Sequence, residues 1–363
     1  TRKESSAASD VYKRQRVVAT LGVAAVAALL CVWLGTPIPW MIGPLLATAL
    51  VSILGAPTVS WIPFRNAGQW IIGTALGLYF TPEVLALLGR LWWAIVLAVV
   101  WALALGMFFS RWLFAVNRAH VPGLDQGTTF FAGSIGGASE MTLLAERHGA
   151  RTDLVASAHS LRVLIVTVLI PFAIQWSGMH GLDATPPAAR VVDGMGLAGL
   201  LLASAVGAMV MVWARRTNPW FLGAFVAAML LTVSGQDWSA IPAVLSNAAQ
   251  LVIGVSLGVR FTPAFLRGAP RWLLSVTWGT LGMVTLCVAF AWLMSLATGL
   301  HLATLILGTS PGGIAEMSIT AKVLQLGVPV VVAFQVCRLV AVLILVEPMY
   351  HRMVRTDSGT PAR

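Results

Sequence analysis

Asn66-Ala67-Gly68-Gln69-Trp70-Ile71-Ile72-Gly73-Thr74-Ala75-Leu76-Gly77-Leu78-Tyr79-Phe80-Thr81-Pro82 is written a second time as Asn247-Ala248-Ala249-Gln250-Leu251-Val252-Ile253-Gly254-Val255-Ser256-Leu257-Gly258-Val259-Arg260-Phe261-Thr262-Pro263. Ten of the seventeen positions are identical, at an offset of 181 residues (66 to 247). A second pair lies further along each half: Ser134-Ile135-Gly136-Gly137-Ala138-Ser139-Glu140-Met141 and Ser310-Pro311-Gly312-Gly313-Ile314-Ala315-Glu316-Met317. The chain therefore reads as one apolar unit written twice. Duplicated halves, each with a Gly-rich interruption of an apolar segment, are the sequence pattern that points to a transporter-like binding site near mid-membrane.

Composition agrees with a membrane location. Of 363 residues 58% are apolar and only 10% charged, with a mean hydropathy of +0.86; a soluble domain carries about 25% charged residues. Leu91 to Ser110, bounded by Arg90 and Arg111, has no ionisable group, and Trp272 to Leu300 has no charged residue. A hydrocarbon core of roughly 30 Å needs about 20 residues of helix, so each run is long enough to cross. Without water to satisfy the backbone, these runs must be helical. The net charge of +10 does not point to nucleic acid, because the Arg and Lys residues are scattered through short loops and form no stripe on a soluble domain. Cys31, Cys287 and Cys337 fall in apolar segments without CxxC spacing and read as small core residues.

Each half divides into six apolar elements, roughly 17–34, 39–54, 66–80, 91–114, 127–145 and 153–175, then 195–214, 219–234, 246–260, 271–296, 300–321 and 328–349. Thr36-Pro37-Ile38-Pro39-Trp40 opens the second element and Thr217-Asn218-Pro219-Trp220 opens its copy. Residues 1–15 are polar and aperiodic and read as a non-native leader outside the fold. The expected division is a first membrane repeat over 16–176, a linker over 177–194, a second repeat over 195–351 and a tail over 352–363.

Loop charge argues that the halves are inverted. Arg215 and Arg216 follow the seventh element, whereas the equivalent loop after the first has no charge. Arg260, Arg267 and Arg271 surround the loop after the ninth; its copy holds Glu83 and Arg90. Arg111 and Arg118 follow the fourth; its copy, 297–302, has neither Lys nor Arg. If one element per half enters and returns, the basic loops all fall on one side with Arg352 and Arg355. The expectation is five crossings per half plus a broken or re-entrant element at 127–145 and 300–321, where glycine weakens the helix and Pro311 removes a donor.

The candidate chemistry sits at the breaks. Ser134, Gly136, Gly137, Glu140 and their copies Ser310, Gly312, Gly313, Glu316 place unwound backbone and a carboxylate in an apolar context. Free amides and carbonyls at a broken helix can hold an ion or a polar solute, and a buried carboxylate is expensive unless paired or solvated. The competing reading makes each Glu a cap of the second half-helix, since a helix N-terminus favours negative charge. Arg162 and Arg338 share the offset of 176 that separates Ser134 from Ser310. The partner of each is a Glu of the motif, as its counter-charge, or a carbonyl of the broken helix; snorkelling to an interface is the alternative. His159 and Gln335, at i−3, face the same side and read first as satisfied core residues. Asn66, Gln69, Asn247 and Gln250 suggest interhelical hydrogen bonds, and Gly73/Gly77 and Gly254/Gly258 suggest close helix packing. The histidines, at 120, 148, 159, 180, 301 and 351, form no closely spaced pair, so no metal site is readable and no cofactor is expected.

Residues 17–350 resemble the AbrB-family membrane proteins, built from two AbrB-duplication modules. The resemblance rests on Pro39-Trp40-x-x-Gly43-Pro44, Gly73-x-x-x-Gly77-x-x-Phe80-Thr81, Gly136-Gly137-x-x-Glu140-Met141-x-x-Leu144-Ala145 and Ser160-Leu161-Arg162, with Pro219-Trp220-x-x-Gly223, Gly254-x-x-x-Gly258-x-x-Phe261-Thr262, Pro311-Gly312-Gly313-x-x-Glu316-Met317 and Arg338 in the second half. Ile135 where the second copy has Pro311 implies a gentler first break. The resemblance implies an all-α integral membrane fold similar to the cation/proton antiporter and bile-acid-symporter class. The expected function is a multi-pass bacterial inner-membrane protein, a secondary transporter or exporter of a small solute, coupled to H+ or Na+, through a site at the two breaks. The alternative is a membrane-embedded regulatory protein that affects gene expression indirectly. Expected partners are the lipid bilayer, the solute and a second copy in a homodimer, with no nucleic acid. The family labels ammonia monooxygenase and transcriptional regulator do not follow from these residues: no metal or cofactor motif supports an enzyme, and no DNA-binding domain fits between the spans.

Overall fold

The apolar runs fold as helices because an unpaired amide has no alternative partner in hydrocarbon. The structure, a computed structural model, describes residues 2–179 and 191–354, with the backbone alone at 2–11 and 353. Most of the linker and tail expected at 177–194 and 352–363 lies outside the described residues. Among the described residues there are sixteen helices and no strand.

The first half comprises α1 (Arg2–Trp33), α2 (Pro39–Ile53), α3 (Ile62–Gly77), α4 (Pro82–Arg90), α5 (Trp92–Asn117), α6 (Gln126–Gly133), α7 (Ala138–Arg147) and α8 (Thr152–Trp176). The second comprises α9 (Gly194–Trp213), α10 (Pro219–Val233), α11 (Ala243–Gly258), α12 (Pro263–Gly268), α13 (Pro270–Thr298), α14 (Leu302–Thr309), α15 (Ile314–Val323) and α16 (Val328–Met353). Pro39 and Pro219 start their helices where a missing amide is harmless. Ile38 and Asn218, just before them, both hold the left-handed conformation, at φ 39° and 47°. That position suits Asn and strains a β-branched side chain.

Seven of the helices are long and apolar enough to cross a membrane, or eight if the bent pair α3 and α4, at 84° to one another, is one span. This is fewer than the ten crossings expected. The difference lies in α2 and α10, apolar but only 15 residues each, and in α3, which reaches the length of a span only together with α4; the elements expected not to cross, α6/α7 and α14/α15, are each divided into short pieces. The small helices α4 and α12, after the Phe-Thr-Pro triplets, were not anticipated. The lipid-facing character is plain on α9, which exposes Leu202, Val206, Met209 and Val210; an exposed apolar stripe of this kind needs a nonpolar solvent.

The helices sort into two compact units that cut across the two halves. One contains α1 to α3 with α9 to α12; the other contains α5 to α8 with α13 to α16. In the first unit, α3 packs on α10 and α11 packs on α2. A Cβ at Gly73 or Gly77 would collide with the backbone oxygen of Phe221 or Phe225, and one at Gly254 or Gly258 with that of Met41 or Leu45. The GxxxG spacings therefore mark close helix crossings, as expected. A side-chain hydrogen bond joins α3 to α9, from Trp70 Nε1 to Ser204 Oγ at 2.9 Å. Of the cysteines only Cys287 is buried; Cys31 is half-buried and Cys337 exposed, which corrects their reading as core residues.

Candidate functional site

The second unit carries both breaks. After α6 the chain leaves the helix at Ser134 (φ −59°, ψ 135°), and after α14 it leaves at Ser310 (φ −63°, ψ 149°). Both breaks are four residues long, Ser134 to Gly137 and Ser310 to Gly313. Ile135 in place of Pro311 thus makes the first break no gentler than the second, because the exit angle is set at the serine before it.

The glycines admit specific side chains. A Cβ at Gly136 or Gly312 would meet the Met141 or Met317 side chain, 2.8 Å away in each case. A Cβ at Gly137 or Gly313 would collide with the carboxylate of Glu140 or Glu316. Each Glu is the third residue of its half-helix and folds back over the glycine that precedes the helix. That is the geometry of a capping-box carboxylate at the positive end of a helix. Glu316 is buried at 8% exposure, while Glu140 is half-buried.

The opposite ends of the breaks are held by α8 and α16. Arg162 donates from Nη1 to the Ala132 carbonyl (3.3 Å) and from Nη2 to the Ser134 carbonyl (3.0 Å). Arg338 donates from Nη1 to the Ser310 carbonyl (2.5 Å) and from Nη2 to the Gly312 carbonyl (2.8 Å). One turn earlier, His159 Nε2 meets the Phe131 carbonyl at 2.9 Å, and Gln335 Nε2 donates to the Leu307 carbonyl at 2.7 Å. Phe131 and Leu307 are again 176 apart. His159 Nδ1 lies 2.7 Å from Arg162 Nη2; a guanidinium only donates, so Nδ1 accepts and Nε2 carries the proton. In each half a cation and a polar neighbour thus satisfy the last carbonyls of a half-helix, whose C-terminus carries about half a negative charge.

Both arginines are buried, at 2% and 7% exposure, so neither snorkels. Both guanidinium groups donate to carbonyls of their own break. Of the partners the sequence left open, the carbonyl is observed for both Arg162 and Arg338. The Nε of each guanidinium has no hydrogen-bond partner. The breaks share surroundings: the nearest atoms around a Cβ at Gly136 include Val342, one turn beyond Arg338 on α16. The void beside Ser134 and Ile135 is 10 Å³, about the space of one water-sized sphere.

One cluster escaped the sequence reading. His148 after α7 and Glu347 and His351 on α16 bring three ligand-type atoms within 4.8 Å of one another. The available signal was the i, i+4 spacing of Glu347 and His351 on an apolar helix; His148 is distant in sequence and had no local signature.

The family model described as "Transition state regulatory protein AbrB" matches residues 40–354. The chain is similar to "Uncharacterized protein YhjN" of Bacillus subtilis (strain 168), 26% identical over 342 residues, covering 87% of this chain and 88% of that protein. It is also similar to "Putative regulator AbrB" of Escherichia coli (strain K12), 26% identical over 335 residues, covering 88% of this chain and 91% of that protein. No solved structure matches. With a family match across almost the whole helical chain, this protein belongs to the AbrB family.

Proposed function

We propose that this protein is a secondary transporter of a small solute, coupled to H+ or Na+, whose site is formed by the two breaks. The carrying observation is that both breaks repeat the same ionisable apparatus: a carboxylate over each half-helix N-terminus and a buried arginine on each C-terminus. Charged groups inside a membrane are costly and recur where a substrate or ion passes, and discontinuous helices are the usual way to present backbone to a solute at mid-membrane. Ser134, Gly136, Gly137, Glu140 and Arg162, with Ser310, Gly312, Gly313, Glu316 and Arg338, are the residues of the proposed site. The two halves are taken as an inverted repeat, in a fold like the cation/proton antiporter and bile-acid-symporter class, in the bacterial inner membrane. With a void of only 10 Å³ beside the first break, a solute enters by displacing the protein's own groups.

Purified protein in liposomes carrying a pH or Na+ gradient provides the test. A panel of small metabolites should contain one that dissipates the gradient, and Glu140→Gln with Glu316→Gln should abolish the effect. Undiminished flux in the double variant removes the carboxylates from the site.

The second reading is a membrane-embedded regulatory protein without transport. It is favoured by the locally satisfied caps and carbonyls, which need no solute, and by the word regulator in a relative's name. A panel that shifts the melting temperature of the protein but dissipates no gradient supports it.

A further inference from the structure

We propose that His148, Glu347 and His351 form a binding site for a divalent transition-metal ion of the zinc class. The site is separate from the breaks and stands whether or not the protein transports a solute.

Glu347 and His351 are one turn apart on α16 and project from the same face. His148 approaches from the end of α7, where its backbone amide caps the helix. Its Nε2 lies 3.6 Å from Glu347 Oε1, too far for a hydrogen bond. That nitrogen is inaccessible to solvent and has no hydrogen-bond partner. A buried polar atom without a partner is unusual and calls for one. The ring is held in place: it stacks on Phe131 (centroids 5.6 Å, 15° between planes) and lies 4.5 Å from the Tyr350 ring. His351 meets it edge-on at 5.3 Å. One ligand is therefore held by packing, and the other two, Glu347 and His351, are exposed.

The donor set selects the ion. Two imidazoles and a carboxylate suit Zn2+, Co2+ or Ni2+, whereas Mg2+ and Ca2+ prefer all-oxygen shells. Bonds of about 2.0–2.1 Å in tetrahedral geometry need donors about 3.4 Å apart. The observed separations, within 4.8 Å, reach that value by rotation of the two exposed side chains. Three protein ligands leave a fourth position open.

The set is not a relic of the duplication. At the same offset of 176, His148 corresponds to Leu324, and Glu347 and His351 correspond to Pro171 and Gln175. Its placement links it to the first break. Phe131 both stacks on the His148 ring and meets His159 Nε2 through its carbonyl. A bound ion would join the end of α7 to the helix that carries Arg338.

Full-length protein, stripped of metal and purified through a tag without histidine, is titrated with Co2+ and followed by its visible absorption bands. One Co2+ per chain, displaced by Zn2+, is the expected result. Glu347→Gln and His351→Asn, both at exposed positions that leave the core intact, should each weaken binding at least about tenfold, the scale on which losing even a supporting partner of a metal ligand acts. His148→Asn should abolish it. Failure of the wild type to bind stoichiometrically overturns the proposal, as does unchanged affinity in Glu347→Gln and His351→Asn.

Discussion

At the scale of single residues, the motif Gly-Gly-x-x-Glu-Met is explained by what each glycine makes room for. The first admits Met141 or Met317, and the second admits the carboxylate of Glu140 or Glu316. Gly313→Ala should therefore displace the Glu316 carboxylate without moving the backbone, since the colliding atoms end a flexible side chain. Loss of a cap costs about 0.5–2 kcal/mol, and Gly313→Ala and Glu316→Ala remove the same one. The double variant should then melt close to either single variant in detergent, and additive losses would show that the carboxylate acts elsewhere. Arg338 obeys a different rule. Arg338→Ala leaves the Gly312 carbonyl without this donor and the Ser310 carbonyl with only the longer bond from Gln335 Nε2, 3.3 Å, at about 1–3 kcal/mol for a buried carbonyl left unpaired. Adding Glu316→Gln should not restore folded yield, because the partners lost are carbonyls; recovery would mean that the two side chains act as an ion pair after all. The positions of these residues were legible because the sequence repeats them at matched offsets. The identity of the arginine's partner was not, since a carboxylate and a carbonyl are both acceptors and only the path of the broken backbone decides which is within reach.

At the scale of elements, the GxxxG spacings were readable because small residues at i, i+4 have one common use between apolar helices. The crossing of α11 on α2 is set by backbone against backbone: a Cβ at Gly254 would lie 2.6 Å from the Met41 carbonyl oxygen. Backbone cannot rotate away as a side chain can, so Gly254→Ala should force the helices apart, at the roughly 1–3 kcal/mol typical of overpacking. Gly282, inside α13, has nothing within 4 Å of its Cβ position. There the substitution should be neutral or raise stability by about 0.5–1 kcal/mol through helix propensity alone. Thermal unfolding of the two variants in one detergent makes the comparison, and equal melting temperatures would remove the crossing as an explanation of the glycine. Helices α4 and α12 were illegible because short amphipathic pieces between proline and arginine carry no membrane-length signal. The matched exit angles at Ser134 and Ser310 were also hidden, because the proline that drew attention lies one residue too late to set them.

At the scale of the whole molecule, the duplication is visible in the chain and the grouping into units is not. Each unit draws helices from both halves, and an apolar surface looks the same in sequence whether lipid or another helix covers it. At this scale loop charge supplies a prediction of sidedness, since basic residues near span ends are retained in the cytoplasm. Arg215 and Arg216 close α9, Arg267 and Arg271 flank the start of α13, and Arg111 and Arg118 lie at the end of α5. An inverted arrangement places all of them on one face together with Arg352, and places the segment before α9, with Asp183 and Asp193, on the other. A parallel arrangement would divide them. The native cysteines, one of them exposed, must first be replaced by alanine so that a single introduced thiol reports. In that background Arg216→Cys should react with a membrane-impermeant maleimide only after the cytoplasmic face is opened, and Asp183→Cys should react in intact cells. Labelling of both from the same side would sink the inverted arrangement, and with it the pairing of the two breaks as opposed halves of one site.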